Sequence, residues 1–141
     1  MSAPVIQRLH LFAATLWAGA LWGGALIAWQ FFATLDRATA GRGVTSLFAT
    51  EAYIAIGCAA LLLIAQPSKA VRGIVLGMLA CALTQRFGLV PLMEELKAQM
   101  AANGGVLTAG LKTEFGLLHL GSTVFYGIEC VLAWLLVKRT R

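Results

Sequence analysis

Apolar residues fill the chain in four long runs, at about residues 5–32, 45–66, 70–92 and 114–137, separated by short polar breaks. Each run can cross a bilayer, whose hydrocarbon core takes about 20 apolar residues of helix. Lipid offers the backbone no hydrogen-bond partners, so such a run must be helical. Short connections make consecutive helices antiparallel neighbours. The pattern predicts an all-α, integral membrane, antiparallel four-helix bundle, one transmembrane domain over residues 1–141.

The breaks set the expected ends. Residues 34–43, TLDRATAGRG, read as a turn region, and Pro67 ends the second helix because proline cannot donate the next helical hydrogen bond. Pro91 interrupts the third run, but the residues beyond it, with Glu94 and Lys97 one turn apart, are helix-forming. The third helix is therefore expected to kink or restart at Pro91 and to extend past it as an extramembrane helix over about residues 92–102. Asn103, Gly104 and Gly105 stop it.

The fourth run carries the most chemistry. His119, Ser122, Tyr126 and Glu129 recur at spacings of three, four and three, which puts them on one stripe of a helix. Ionisable groups in a membrane helix normally face other protein or a water-filled cavity. On the first helix, Gly19 and Gly23 form a GxxxG pair and Ala20, Gly24 and Ala28 a second small-residue ridge. Such ridges favour close helix packing in lipid and are read here as packing sites. Trp22 and Trp29 are expected in lipid or at the outer interface.

Composition agrees with a membrane protein. Hydrophobic residues make up 60% of the chain and charged ones 12%, where a soluble domain carries about twice that charge. A cleavable signal peptide is not expected, since the first run is too long for one. The net charge of +5 does not signal nucleic acid, because the basic residues sit at the ends of apolar runs. Cys58, Cys81 and Cys130 fall in three different runs and read as packing residues.

Charge at the helix ends sets the orientation. Arg8, Lys69, Arg72, Lys138, Arg139 and Arg141 share one side with no acid, while Arg37, Arg42, Lys97 and Lys112 on the other are offset by Asp36, Glu94, Glu95 and Glu114. The positive-inside rule puts both termini in the cytoplasm, with the bacterial inner membrane as the expected location.

With these helix ends, Glu51, Arg86 and His119 come out at one depth, roughly 8 to 10 Å below the outer surface. A structural ion pair of Glu51 with Arg86, with His119 hydrogen-bonded beside it, accounts for this level. A ligand or ion pocket opening to the outer face accounts for it equally. Glu129 is expected deeper, about level with Trp17, as a neutral hydrogen-bonded acid near Tyr126, or as a group that relays a proton or binds a cation. His10 lies near the cytoplasmic boundary, on the order of 20 to 25 Å from His119 along the axis, which rules the two out as joint ligands of one haem. Alone it reads as an interfacial hydrogen-bonding residue or as a single metal or haem ligand.

Residues 9–24, LHLFAATLWAGALWGG, place His10 seven residues before Trp17. This stretch resembles the first helix of CopD-type copper-resistance membrane proteins and, more distantly, of HemJ-type protoporphyrinogen oxidases. Residues 90–100, VPLMEELKAQM, together with residues 115–129, FGLLHLGSTVFYGIE, are similar to small bacterial membrane proteins related to transmembrane protein 205, a domain of unknown function. The second resemblance covers nearly the whole chain and implies a four-helix membrane protein without assigned chemistry. The first implies copper or haem, with His10 as the candidate ligand.

Three functions compete. One is a non-enzymatic protein of the bilayer, whose inward pocket of Glu51, Arg86, His119, Ser122, Tyr126 and Glu129 serves transport, copper handling or an accessory role. The second is a haem or porphyrin oxidoreductase using His10. The third is a structural partner, in a homo-oligomer or a larger membrane complex, as the glycine ridges suggest. Nothing in the chain resembles a nucleophile–base pair, a P-loop or a zinc site, which argues against an enzyme.

Overall fold

The computed structural model describes residues 3–65, 68–102, 104 and 108–140. These residues form four helices, α1 (Ala3–Thr34), α2 (Arg37–Ile64), α3 (Lys69–Ala102) and α4 (Ala109–Thr140), all long and apolar enough to cross a membrane. Helix α1 packs on α2 and α4, and α3 packs on the same two, so the helices close a ring in chain order. The all-α bundle predicted by the apolar runs is the fold.

Helix α2 starts earlier than the polar break suggests. The break shrinks to Leu35 and Asp36, because the Asp36 carboxylate accepts the backbone N–H groups of Ala38 and Thr39, both at 3.0 Å, and caps the helix. The hydroxyl and N–H of Thr39, with the Ala38 N–H, hold the Asp36 carboxyl below the usual carboxylate range. Gly43, read as a breaker, lies inside α2 under the Phe31 ring; a Cβ there would come within 2.7 Å of the ring carbons.

Helix α3 is continuous through Pro91 because the turns before it are π-helical over Thr84–Leu89, with the Val90 N–H donating five residues back to the Gln85 carbonyl. The wider turn accommodates a ring that cannot donate a hydrogen bond and would crowd the preceding turn. The helix then runs on to Ala102, so the extension past Pro91 is present. Gly104, at φ +66°, follows it in the left-handed conformation that favours glycine. Helix α4 opens earlier than expected, on Thr108, whose hydroxyl accepts the Leu111 N–H at 3.4 Å. The stops assigned to Pro67, Asn103 and Gly105 lie outside the described residues.

The glycine pair of α1 does not pack. The helix buries Ala13, Ala14, Trp17, Leu21 and Gly24, a stripe at spacings of three and four, and Gly19 and Gly23 fall beside it. A Cβ at Gly19 or Gly23 would meet nothing within 4 Å. Only Gly24 of the expected packing glycines is approached closely. The outer surface is apolar, with Leu26, Trp29, Ile64, Leu117 and Trp134 exposed, as a lipid-facing surface requires. Near its end α4 sets the Lys138 ammonium over the Trp134 ring at 4.6 Å. All three cysteines are free, and Cys58 and Cys81 are buried as packing residues.

Candidate functional site

All four helices enclose a cavity of about 960 Å³ that runs from one end of the bundle to its middle. Its rim carries Arg37, Lys97 and Lys112, and its walls are mainly apolar, with Phe48, Val90, Met93 and Phe115 among them. Lys97 pairs with Glu94 at 2.7 Å, the sole ion pair among the described residues. Arg37 and Lys112 form no ion pair among the described residues.

The floor is polar. Glu51 lies fourteen residues into α2, about 21 Å from its start, and Tyr126 seventeen residues into α4, about 25 Å from its start. Gln85 of α3, seventeen residues before Ala102, comes to the same level. Its amide N–H donates to Glu129 Oε2 at 2.7 Å, and its carbonyl accepts the Ser122 hydroxyl at 3.0 Å. The Tyr126 hydroxyl donates to the Leu21 carbonyl and so ties α4 to α1. Glu51 and Tyr126 both press on Gly24: a Cβ there would sit 3.2 Å from Glu51 Oε2 and 3.3 Å from the Tyr126 oxygen. Glycine leaves room for both polar groups, which a side chain here would push back by a few tenths of an ångström.

Each of the six inward residues expected from the sequence, Glu51, Arg86, His119, Ser122, Tyr126 and Glu129, lines this cavity. Their grouping differs from the expected one. Glu51 and Arg86 do not form an ion pair: both Glu51 oxygens are buried with no hydrogen-bond partner among the described residues, and the Arg86 guanidinium lies over the Phe87 ring at 5.5 Å. The shift follows from helix length. With α2 beginning at Arg37, Glu51 sinks to the level of Tyr126 and Gly24, on the side of α1 and α4. His119 stays higher, ten residues into α4, exposed and stacked on Phe115 with ring centroids 6.3 Å apart. Glu129, expected as a hydrogen-bonded acid near Tyr126, takes its hydrogen bond from Gln85.

Gln85 is the floor residue that periodicity overlooks. Its signal is the polar triplet Thr84-Gln85-Arg86 inside an apolar run, where attention goes to the charge and not to the amide. His10 lies at the opposite end of the bundle and does not line the cavity; its Nε2 is buried with no partner among the described residues. Among the described residues no three His, Cys, Asp or Glu side chains converge to hold a metal ion.

Lipid-facing helices around an internal, one-ended cavity with a polar floor define a small integral membrane protein of the four-helix class. Residues 11–102 match the family described as domain of unknown function DUF4149, and the chain belongs to that family. The match takes in α2, α3 and most of α1, which carry Glu51, Gln85 and Arg86. No curated protein and no solved structure matches the chain.

Proposed function

We propose that the protein is a non-enzymatic, membrane-embedded binding protein that takes a small, largely apolar molecule in at the outer end of the bundle, as a carrier or an accessory subunit. The cavity of about 960 Å³ carries this reading, since it is of the size that ligand sites have and combines apolar walls with a few convergent polar groups. Three of the five polar side chains on its floor are joined by hydrogen bonds, Gln85 to both Ser122 and Glu129, an arrangement suited to holding a ligand and not to attacking one. The excess of Arg8, Lys69, Arg72, Lys138 and Arg139 at the closed end supports cytoplasmic termini in a bacterial inner membrane, with the cavity facing outward.

The test is extraction. Protein purified from its native membrane should release a near-stoichiometric small molecule into organic solvent, identified by mass spectrometry. The cavity-filling variant Ala28→Trp should release far less. Identical extracts from the two proteins would overturn the reading.

A further inference from the structure

The hydrogen bonds of the floor leave one acceptor over. Gln85 joins Ser122 to Glu129, and Tyr126 spends its proton on the Leu21 carbonyl. Glu51 is 8% exposed and faces the cavity, and among the described residues neither carboxyl oxygen is bonded, the adjacent Tyr126 hydroxyl being turned to the Leu21 carbonyl. Buried polar groups are almost always partnered, and a carboxyl without a partner is costly. The space in front of it is kept by Gly24, where any side chain would crowd Glu51 Oε2.

We infer that Glu51 is the anchor for the ligand's head, and that the ligand is an uncharged, mostly apolar molecule carrying an alcohol or phenol hydroxyl that donates to the Glu51 carboxyl. This inference rests on the cavity reading above. Three observations choose the class. A bare ion leaves nearly all of a cavity of about 960 Å³ with apolar walls unfilled. An ammonium must pass Arg37 and Lys112 at the rim and Arg86 on the wall, charges of its own sign, while Glu94 at the rim offsets only Lys97. The remaining unpartnered polar atoms on the cavity lining, Trp17 Nε1 and Arg86 Nε, are donors. A hydroxyl can donate to Glu51 and can also accept from a donor, whereas an ammonium cannot accept.

The experiment uses a probe pair differing in one O–H group, 2-naphthol and 2-methoxynaphthalene, titrated calorimetrically into the full chain in lipid nanodiscs against empty discs. The wild type should bind 2-naphthol about tenfold more tightly, the scale of one buried group left without its hydrogen bond. Glu51→Leu should erase that preference, and Glu51→Gln, which keeps an acceptor oxygen, should retain part of it. Equal affinities in the wild type, or a preference that survives in Glu51→Leu, would overturn the inference while leaving the cavity reading standing. Should Glu51→Leu fail to fold, Glu51→Gln decides: a reduced preference for 2-naphthol with 2-methoxynaphthalene still bound supports the anchor, and an unchanged preference overturns it. Saturable binding of neither probe by the wild type removes the cavity reading itself, and the anchor with it.

Discussion

Cut across its middle, the bundle has two unlike halves. In the half that holds the termini, Trp17, Leu62, Val75, Met78 and Leu136 are fully buried among Ala13, Ala14, Ala59 and Ala133. In the other half the same four helices stand around about 960 Å³ of open space. Lipid tails are as apolar as leucine, so hydrophobicity does not press the helices together; close packing and hydrogen bonds do. The closed half sets a large side chain against small ones. In the open half the small residues of α1 and α2, Ala25, Ala28, Gly41 and Ala52, face a gap that no side chain of α3 or α4 reaches across to fill. The boundary between the halves is where Glu51, Gln85, Tyr126 and Glu129 lie. The closed half gives stability, and the open half gives up packing for access.

The largest effects should therefore fall in the closed half. Leu62→Ala or Leu136→Ala should each cost about 2 to 5 kcal/mol, measured by equilibrium unfolding in mixed micelles, because each leaves a void among fixed neighbours. Phe115→Ala, on the wall of an existing cavity, should cost less than about 1 kcal/mol by the same measurement. Similar losses at both sites would erase the distinction between the halves.

At the boundary, Gln85→Leu strands both Ser122 and Glu129, and should cost about 1 to 3 kcal/mol. Combining it with Glu129→Leu should recover part of that loss, and strict additivity in the double-mutant cycle would mean that the two side chains do not interact.

Neighbouring glycines sharpen the comparison further. Gly23→Ala, with nothing near the new methyl group, should stabilise α1 by up to about 1 kcal/mol through helix propensity alone. Gly24→Ala should forfeit that gain and weaken 2-naphthol binding, since its Cβ meets Glu51 and Tyr126. Equal gains in stability at both positions would show that Gly24 is not constrained.

The smallest effect belongs at the rim. Asp36→Ala should speed hydrogen exchange at the Ala38 and Thr39 amides while leaving the closed half protected. Because hydrogen bonding in the folded protein lowers the Asp36 pKa, the cap contributes fully above its ordinary value of 3.8 and is lost as the pH falls through the lower folded value. In the wild type, the same two amides should begin to exchange faster only below that ordinary value. Amide exchange unchanged down to the lowest pH at which the bundle stays folded would count against the cap.

Number, type and order of the helices were legible in the sequence because apolar runs of bilayer length admit one backbone conformation. The inward stripe of α4 was legible too, since a helical period puts His119, Ser122, Tyr126 and Glu129 on one face. Depth was harder to read. It depended on where α2 begins, and a ten-residue polar stretch hid the capping role of Asp36, which moved Glu51 from the company of His119 to that of Tyr126. The GxxxG pair misled for a related reason: a small-residue ridge says that close approach is allowed, not which face of the helix is approached.

By itself, then, the sequence determined the membrane-spanning bundle and, with the exception of Gln85, the polar residues named on its cavity, because hydrophobic length and helical period are local properties. Only the tertiary structure decided which of those residues meet. The pairing of Gln85 with Ser122 and Glu129, the closure of Tyr126 on Leu21, and the unpartnered carboxyl of Glu51 each depend on the relative rotation and register of two or three helices. Register is set by packing across the ring: a quarter turn of any helix would redistribute these partners without changing a single residue.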